Sequence, residues 1–480
     1  MSVALLLILM HQNSSERIVQ GLSSWISGAA PGTQLPSTRT LVTEYGASPV
    51  TVQKALRRLT AQGLVESRPG VGTFVRAVQK VRPHDYSWQT AALGPRHSKA
   101  PQMASALRPP TPGTMDLNSG FPDPALLPER LIRSAFNRAA RSRATLMGPS
   151  TSGLADLRAW FASELAGTTA SGVTPPGAGD VVIFPGSQSG LSAAFRALVG
   201  PGDPLLMESP TYWGAILAAA QANVEVVPVP SSAQGPDPAD LERAFAQTGA
   251  RAFYAQPNYA NPTGAQWSPQ LTGEVLETVR RHGAFLIEDD WAHDFGIDSS
   301  PAPAAAHDDA GHVVYLRSLT KSISPAVRVA AVIARGPVRD RLLHAAQSES
   351  IYVSGTLQTV ALDVVTQPGW RTHLRSFTEQ LGSRRDLLLR SLHEHAPQAQ
   401  VETVPKGGLN LWVRLPDDVE LRPLLHELEN RRLLVVPGDE LFPAEPTAPY
   451  VRMSYAGPEP GSYPEAARVL GEALEEHLGR

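Results

Sequence analysis

The sequence predicts an α/β protein in two parts, on three observations. Residues 14–76 read as three short helices followed by a β-hairpin. From about Met115 onward, helical stretches alternate with short β-branched runs, the pattern of an α/β domain built on a largely parallel sheet. Within that body, Ser318-Leu-Thr-Lys-Ser-Ile-Ser-Pro-Ala-Val-Arg328 sets a lysine among small hydroxyl residues, with an arginine seven positions on.

Bulk properties agree with this division. A chain of 480 residues exceeds one ordinary domain. A hydrophobic share of 42% and a charged share of 18% describe a folded chain. There is no cysteine, which excludes disulfides, thiolate metal sites and cysteine nucleophiles and suits a reducing cytoplasm. Residues 1–80 hold eight Lys and Arg against three acids, net +5, so the remaining 400 carry −8. A basic head on an acidic body suits a nucleic-acid module joined to a part that does not bind nucleic acid. The apolar run Val3 to Met10 is too short to span a bilayer and lacks a basic flank, so residues 1–13 are read as an extension or a start-site artefact. No other segment is apolar enough to cross a membrane, and a soluble, cytoplasmic protein is expected.

The elements follow in order. Ser14 or Ser15 caps a helix through Ser27, with Ile18, Leu22 and Ile26 at helical spacing. After the turn-rich Gly28 to Pro36, Ser37 caps a second helix ending near Gly46. Ser48-Pro49 supplies an N-cap and a first-turn proline for a third, Val50 to Gln62. Leu64-Val-Glu and Gly72-Thr-Phe-Val75, joined through Arg68-Pro-Gly-Val, read as two strands. Three helices and a hairpin make a winged helix-turn-helix. Its third helix offers Thr51 and Gln53 for base edges and Lys54 or Arg57 for phosphates, with Arg39 on the preceding helix as a further phosphate contact.

Residues 77–113, rich in Pro, Ala, Ser and Arg, read as a linker. The body, 115–478, shows strands at Val181-Val-Ile-Phe, Pro204-Leu-Leu-Met, Val224-Glu-Val-Val, Ala284-Phe-Leu-Ile and His312-Val-Val-Tyr-Leu. From about 367 to 478, long helices with strands near Gly408 to Leu415 and Val451 to Tyr455 suggest a smaller α+β subdomain.

Pyridoxal 5′-phosphate (PLP) needs a Schiff-base lysine, an acid at its pyridine nitrogen, a stacked aromatic ring and a phosphate cradle. Lys321 suits the first role, and Ser318 and Arg328 suit the phosphate. Gly186-Ser187-Gln188-Ser189 opens a helix after a strand, where backbone N–H groups bind phosphate. Tyr212, after another strand, suits the stacked ring. Asn261 in Asn261-Pro-Thr-Gly264 can reach a cofactor hydroxyl, and Glu288-Asp289-Asp290 ends a buried strand with carboxylates. Arg452 on a late strand suits a substrate carboxylate. Each has an ordinary reading alone: a turn, a core aromatic, a surface ion pair. No histidine–carboxylate spacing supports a metal, and His293 is read as incidental.

Order and spacing together carry two resemblances. Pro31-Gly-Thr-Gln-Leu-Pro-Ser-Thr-Arg39, Ser48-Pro-Val-Thr-Val and Gly63-Leu-Val-Glu-Ser-Arg-Pro-Gly-Val-Gly-Thr-Phe-Val75 resemble the GntR-family winged helix-turn-helix. Asp116-Leu-Asn-Ser-Gly-Phe-Pro-Asp123 through Arg452 resembles fold-type I, class I aminotransferases. The combination is similar to the MocR/PdxR subgroup of GntR regulators. The resemblance implies Lys321 as the Schiff-base lysine, Asp289 as pyridinium partner, Tyr212 as stacked ring and Asn261 at the phenolic oxygen. It also implies Ser187, Gln188, Ser318 and Arg328 at the phosphate and Arg452 at an effector carboxylate. DNA contacts by Arg39, Thr51, Gln53, Lys54 and Arg57 on paired half-sites follow, as does a homodimer. Three positions depart from the pattern: Trp291 and Met147 stand where tyrosines are usual, and Asn410 where a histidine is usual.

The expected function is a PLP-binding transcriptional regulator responding to PLP or an amino compound, with genes of vitamin B6 or amino-acid metabolism as targets. An active aminotransferase carrying a DNA-binding domain is the alternative, and a scaffold that has lost PLP a third.

Overall fold

The structure, a computed structural model, describes residues 14–76, 89, 92 and 105–479. The expected extension, residues 1–13, and residues 77–88 of the expected linker lie outside that set, as do 90, 91 and 93–104. The chain divides into two units, one ending at Arg96 and one beginning at His97.

The first unit contains α1 (Ser14–Gly28), α2 (Thr38–Tyr45), α3 (Pro49–Ala61), β1 (Val65–Arg68) and β2 (Gly72–Val75). Ile18, Leu22 and Ile26 put one stripe of α1 into a core shared with Leu41, Val52, Leu59, Val65 and Val75. Each such side chain contributes about 1.5–3 kcal/mol through burial. The Ser37 and Ser48 hydroxyls cap α2 and α3 by accepting from Thr40 N and Thr51 N, each at 3.2 Å. Gly46 ends α2 at φ 56°, a left-handed conformation that favours glycine. β1 and β2 pair antiparallel from Val65↔Val75 to Arg68↔Gly72, forming the wing.

In the second unit, β3 (Met115–Asp116) precedes an eight-stranded sheet. Its strands are β4 (Val181–Phe184), β5 (Pro204–Ser209), β6 (Glu225–Ser232), β7 (Gly235–Pro236), β8 (Ala252–Ala255), β9 (Phe285–Asp290), β10 (Val313–Ser318) and β11 (Ala330–Ile333). Their spatial order is β4-β11-β10-β9-β8-β5-β6-β7. Strands β10, β9, β8, β5 and β6 are parallel, while β11 runs antiparallel to β10 and β4. Alternate residues feed two cores, with Leu206, Phe253 and Leu286 in one and Met207, Tyr254 and Ile287 in the other. Two buried faces explain the continuous apolar runs.

A smaller antiparallel sheet has the order β12 (Gln400–Val401), β13 (Asn410–Arg414), β16 (Tyr450–Ser454), β15 (Val436–Pro437), with β14 (Leu433–Leu434) pairing parallel to β3. The helices Gly369–His395 and Tyr463–His477 share a core with it through Leu388, Leu392, Leu411, Met453 and Leu470.

Two results differ from the sequence reading. Strands β8 and β11, and the two-residue strands β3, β7, β12, β14 and β15, are not among the expected strands. Residues 105–113, expected as linker, belong to the second unit, and Ser105 is held there by Glu440 through its backbone N–H (2.9 Å) and hydroxyl (2.6 Å).

Candidate cofactor site and nucleic-acid surface

Parallel strands end together, and ligands in such sheets bind outside their carboxyl ends. Strands β4, β5, β8, β9 and β10 therefore deliver Ser187, Tyr212, Gln256, Asp289 and Lys321 to one edge. These five line one cavity with Phe121, Gln188, Asn261, Trp291, Ser318, Thr320 and Arg328. The structure thus brings together eight of the nine residues considered for the cofactor and its ligand. The ninth, Arg452, reaches the same place from β16: its Nη1 donates to Asn261 Oδ1 at 3.3 Å.

Asp289 is buried. Its Oδ2 accepts from Tyr254 Oη (3.0 Å) and Gln256 Nε2 (2.9 Å), whereas its Oδ1 is buried with no partner. Burial pushes its carboxyl up, against those two hydrogen bonds and the Lys321 charge. A buried carboxylate oxygen left open needs a donor. A protonated pyridine nitrogen is such a donor.

Lys321 lines the cavity, yet the surrounding protein strips its amine of most water. Burial first, then the Arg452 charge, lower it to about 7, opposed by Asp289. Near neutrality a large share of the amine is therefore the free base, the form that condenses with an aldehyde. Its Nζ lies 4.2 Å from the centre of the Trp291 ring.

Arg452 is buried and makes no ion pair among the described residues. Its Nη2 donates to Asn118 O at 2.9 Å, its Nε is buried without a partner, and burial lowers it to about 10. A guanidinium so placed is ready for a carboxylate.

Gly186, at φ 94°, precedes the helix Ser187–Leu198, and a Cβ there would lie 2.6 Å from the Arg328 guanidinium. The backbone thus approaches the arginine as only glycine permits, and the helix start and Arg328 form an anion cradle. The hydroxyl of Thr320, which lines the same cavity, is buried without a partner. Gln188 donates to Gly214 O (2.7 Å) and accepts from Tyr212 Oη (3.3 Å), which fixes the tyrosine ring, and burial pushes the Tyr212 phenol up to about 12.

These donors and acceptors fit PLP. When bound, that cofactor supplies an aldehyde for amines and an electron-withdrawing ring. Trp291 gives its indole N–H to Tyr259 O at 3.2 Å, so it offers no donor of its own to the cavity. Met147 is exposed, and Asn410 is buried with Oδ1 unpartnered. His293 Nδ1 pairs with Asp290 Oδ2 at 2.7 Å, and no metal-binding cluster occurs among the described residues. Sequence reasoning missed Tyr254, Gln256 and Asn118 as site residues. Their signal was only position, at a strand end or in a loop.

In the first unit Arg39, Gln53, Lys54 and Arg57 are exposed, and the three cations form no ion pair among the described residues. Thr51 is half-buried, with its hydroxyl 2.8 Å from that of Ser48. Val50, 73% exposed at the start of α3, was not foreseen as a contact. It is suited to a thymine methyl.

Residues 112–470 match the family model for aminotransferase class I and II, and residues 14–75 match that for bacterial regulatory proteins, gntR family. The chain belongs to the class I and II aminotransferase family, with a GntR-type DNA-binding domain at its N-terminus. The uncharacterized HTH-type transcriptional regulator YjiR of Escherichia coli is 29% identical over 96% of this chain and 97% of its own length. A 2-aminoadipate transaminase of Thermus thermophilus is 28% identical over 76% of this chain and 91% of its own. Among solved structures, LysN, an α-aminoadipate aminotransferase of Thermus thermophilus complexed with N-(5′-phosphopyridoxyl)-L-leucine, superposes with a TM-score of 0.70. It is 26% identical and covers 77% of this chain and 94% of its own. PLP is the cofactor that this fold and family imply.

Proposed function

We propose that this protein is a PLP-dependent transcriptional regulator in which an aminotransferase-like domain senses PLP or an amino compound and a winged helix-turn-helix reads DNA. The observation that carries the reading is the pairing, within one chain, of a GntR-type DNA-binding domain with the open Asp289 Oδ1, the poised Lys321 amine and the unpaired Arg452. Lys321 takes the cofactor aldehyde, Asp289 holds the pyridine nitrogen, and Tyr212 stacks on the ring. Asn261 serves the phenolic oxygen, and Ser187, Gln188, Ser318 and Arg328 hold the phosphate. Arg452 receives an effector carboxylate. Arg39, Thr51, Gln53, Lys54 and Arg57 contact operator DNA. Genes of vitamin B6 or amino-acid metabolism are the proposed targets.

A homodimer on paired half-sites is part of this reading. Leu146, Met147, Ile351 and Tyr352 are 87%, 59%, 65% and 45% exposed, and Gly148 packs on the Tyr352 ring, so these apolar groups lie close together. Such a cluster needs a cover. Among the described residues no helix is long and apolar enough to cross a membrane, and we assign the protein to the cytoplasm.

The test is binding of the PLP-reconstituted protein to its own upstream DNA, with and without added amino acids. Ligand-dependent affinity supports the regulator, because coupling between two sites is reciprocal. The gathering of Lys321, Asp289, Arg328 and Arg452 in one place also favours a second reading, active transamination. Turnover with an amino acid and a keto acid, without any effect on DNA binding, would select it.

A further inference from the structure

We propose that Gln256 is a positioning residue that sets both the contact to the pyridine nitrogen and the contact to the phenolic oxygen, by holding Asp289 and Asn261 in register. This rests on the PLP reading above.

Gln256 is buried just past the end of β8 and lines the cavity. Its backbone N–H donates to Glu208 Oε2 at 3.1 Å, and Glu208 Oε1 is held by the Ser231 hydroxyl at 3.0 Å. With the backbone pinned, the side chain bridges two elements. Its Nε2 donates to Asp289 Oδ2 at 2.9 Å, and its Oε1 accepts from Asn261 N at 2.9 Å.

Chemistry dictates the residue. An ionised Asp289 only accepts, and a backbone N–H only donates, so the bridge needs one donor and one acceptor two bonds apart. An amide has both in one plane. A hydrocarbon has neither, and an ionised carboxylate has only acceptors. Losing the amide would leave Asn261 N buried without a partner and Asp289 with Tyr254 alone. Oδ1 would then no longer be aimed, and the loop carrying Asn261 would lose its tie to β8. Nearby titratable or charged groups are Glu208, Tyr254 and Asp289, with Arg452 on Asn261 and with Lys321, Tyr212 and Arg328 also around the cavity.

The experiment uses full-length protein and PLP, read by absorbance of the lysine-bound chromophore. Gln256→Met keeps the size and removes both bonds. We expect PLP affinity to fall about tenfold, the value of one charge-assisted hydrogen bond. The pH midpoint of the chromophore should rise by about one unit, because a ring less electron-poor leaves the lysine nitrogen more basic. Gln256→Glu separates position from bulk. Protonated, it can donate to Asp289 and accept from Asn261; ionised, it repels Asp289. Burial and the Asp289 charge raise this carboxyl, so affinity should approach wild type at acidic pH and fall as pH rises through the raised value. Gln256→Met matching wild type in affinity and midpoint overturns the proposal while leaving PLP binding intact. A Gln256→Glu variant no more pH-dependent than wild type overturns it equally, even where the Met variant fails to fold. Failure of the wild-type protein to take PLP would instead sink the functional reading and the inference with it.

Discussion

The Lys321 amine faces the Trp291 ring, with Nζ 4.2 Å from its centre. The indole N–H is already given to Tyr259 O, so the ring offers the amine a π face and an apolar wall but no hydrogen bond. Burial is the first cause of the lowered Lys321 value, and the Trp291 ring is one of the groups packed against the amine.

Trp291→Ala opens that wall to water. The solvation gained by the ammonium outweighs the lost cation–π attraction of about 0.5–2 kcal/mol. The pH midpoint for capture of PLP should therefore move upward from about 7. Rates of chromophore formation between pH 6 and 9 check this, and a downward shift would show the π contact to dominate.

The same amine makes cofactor-free stability depend on pH. Its folded value of about 7 lies below the ordinary 10.5, so the unfolded chain binds the extra proton between those limits. The destabilisation is complete below about 7 and vanishes as pH rises to 10.5. Lys321→Met should stabilise the cofactor-free protein by a few (~2–4) kcal/mol at pH 6 and by less at pH 9. Urea unfolding at the two values measures the difference.

Asp289→Asn preserves shape but removes the charge from the open Oδ1. Loss of a charge-assisted bond to the ring nitrogen should weaken PLP about 10–100-fold. Absorbance titration reads this directly.

Arg452→Gln should weaken amino acids about 10–100-fold, the loss of a bidentate carboxylate contact, and affect PLP far less. Arg452→Lys should not rescue it, because an ammonium cannot reproduce the fork. Spectral titration with amino acids distinguishes the two constants.

Arg57→Ala should weaken operator and random DNA alike and reduce the salt slope by about 1, with PLP retention unchanged. Fluorescence anisotropy at several salt concentrations tests it.

Much of this site was legible because its parts sit at strand ends and helix starts, where local sequence carries a signal. The Ser48-Pro49 cap and the apolar runs of β4 and β10 could be read directly. Strand β11, Ala330-Ala-Val-Ile, could not: half its residues are alanine, and burial on both faces erases alternation. Strand β8 is a four-residue apolar run with the same ambiguity. Tyr254 and Gln256 stayed hidden for another reason. Their partner Asp289 is 35 and 33 residues away, and only the parallel pairing of β8 with β9 brings them together. Thr51 has the type and place of a base contact, but its hydroxyl already faces that of Ser48.

Everything depends on whether Lys321 captures the cofactor. Incubation with PLP, borohydride reduction and peptide mapping tests that directly. A single phosphopyridoxyl label on the peptide containing Lys321, abolished in Lys321→Ala, is the expected result. An unlabelled protein, or a label on another lysine, would contradict it.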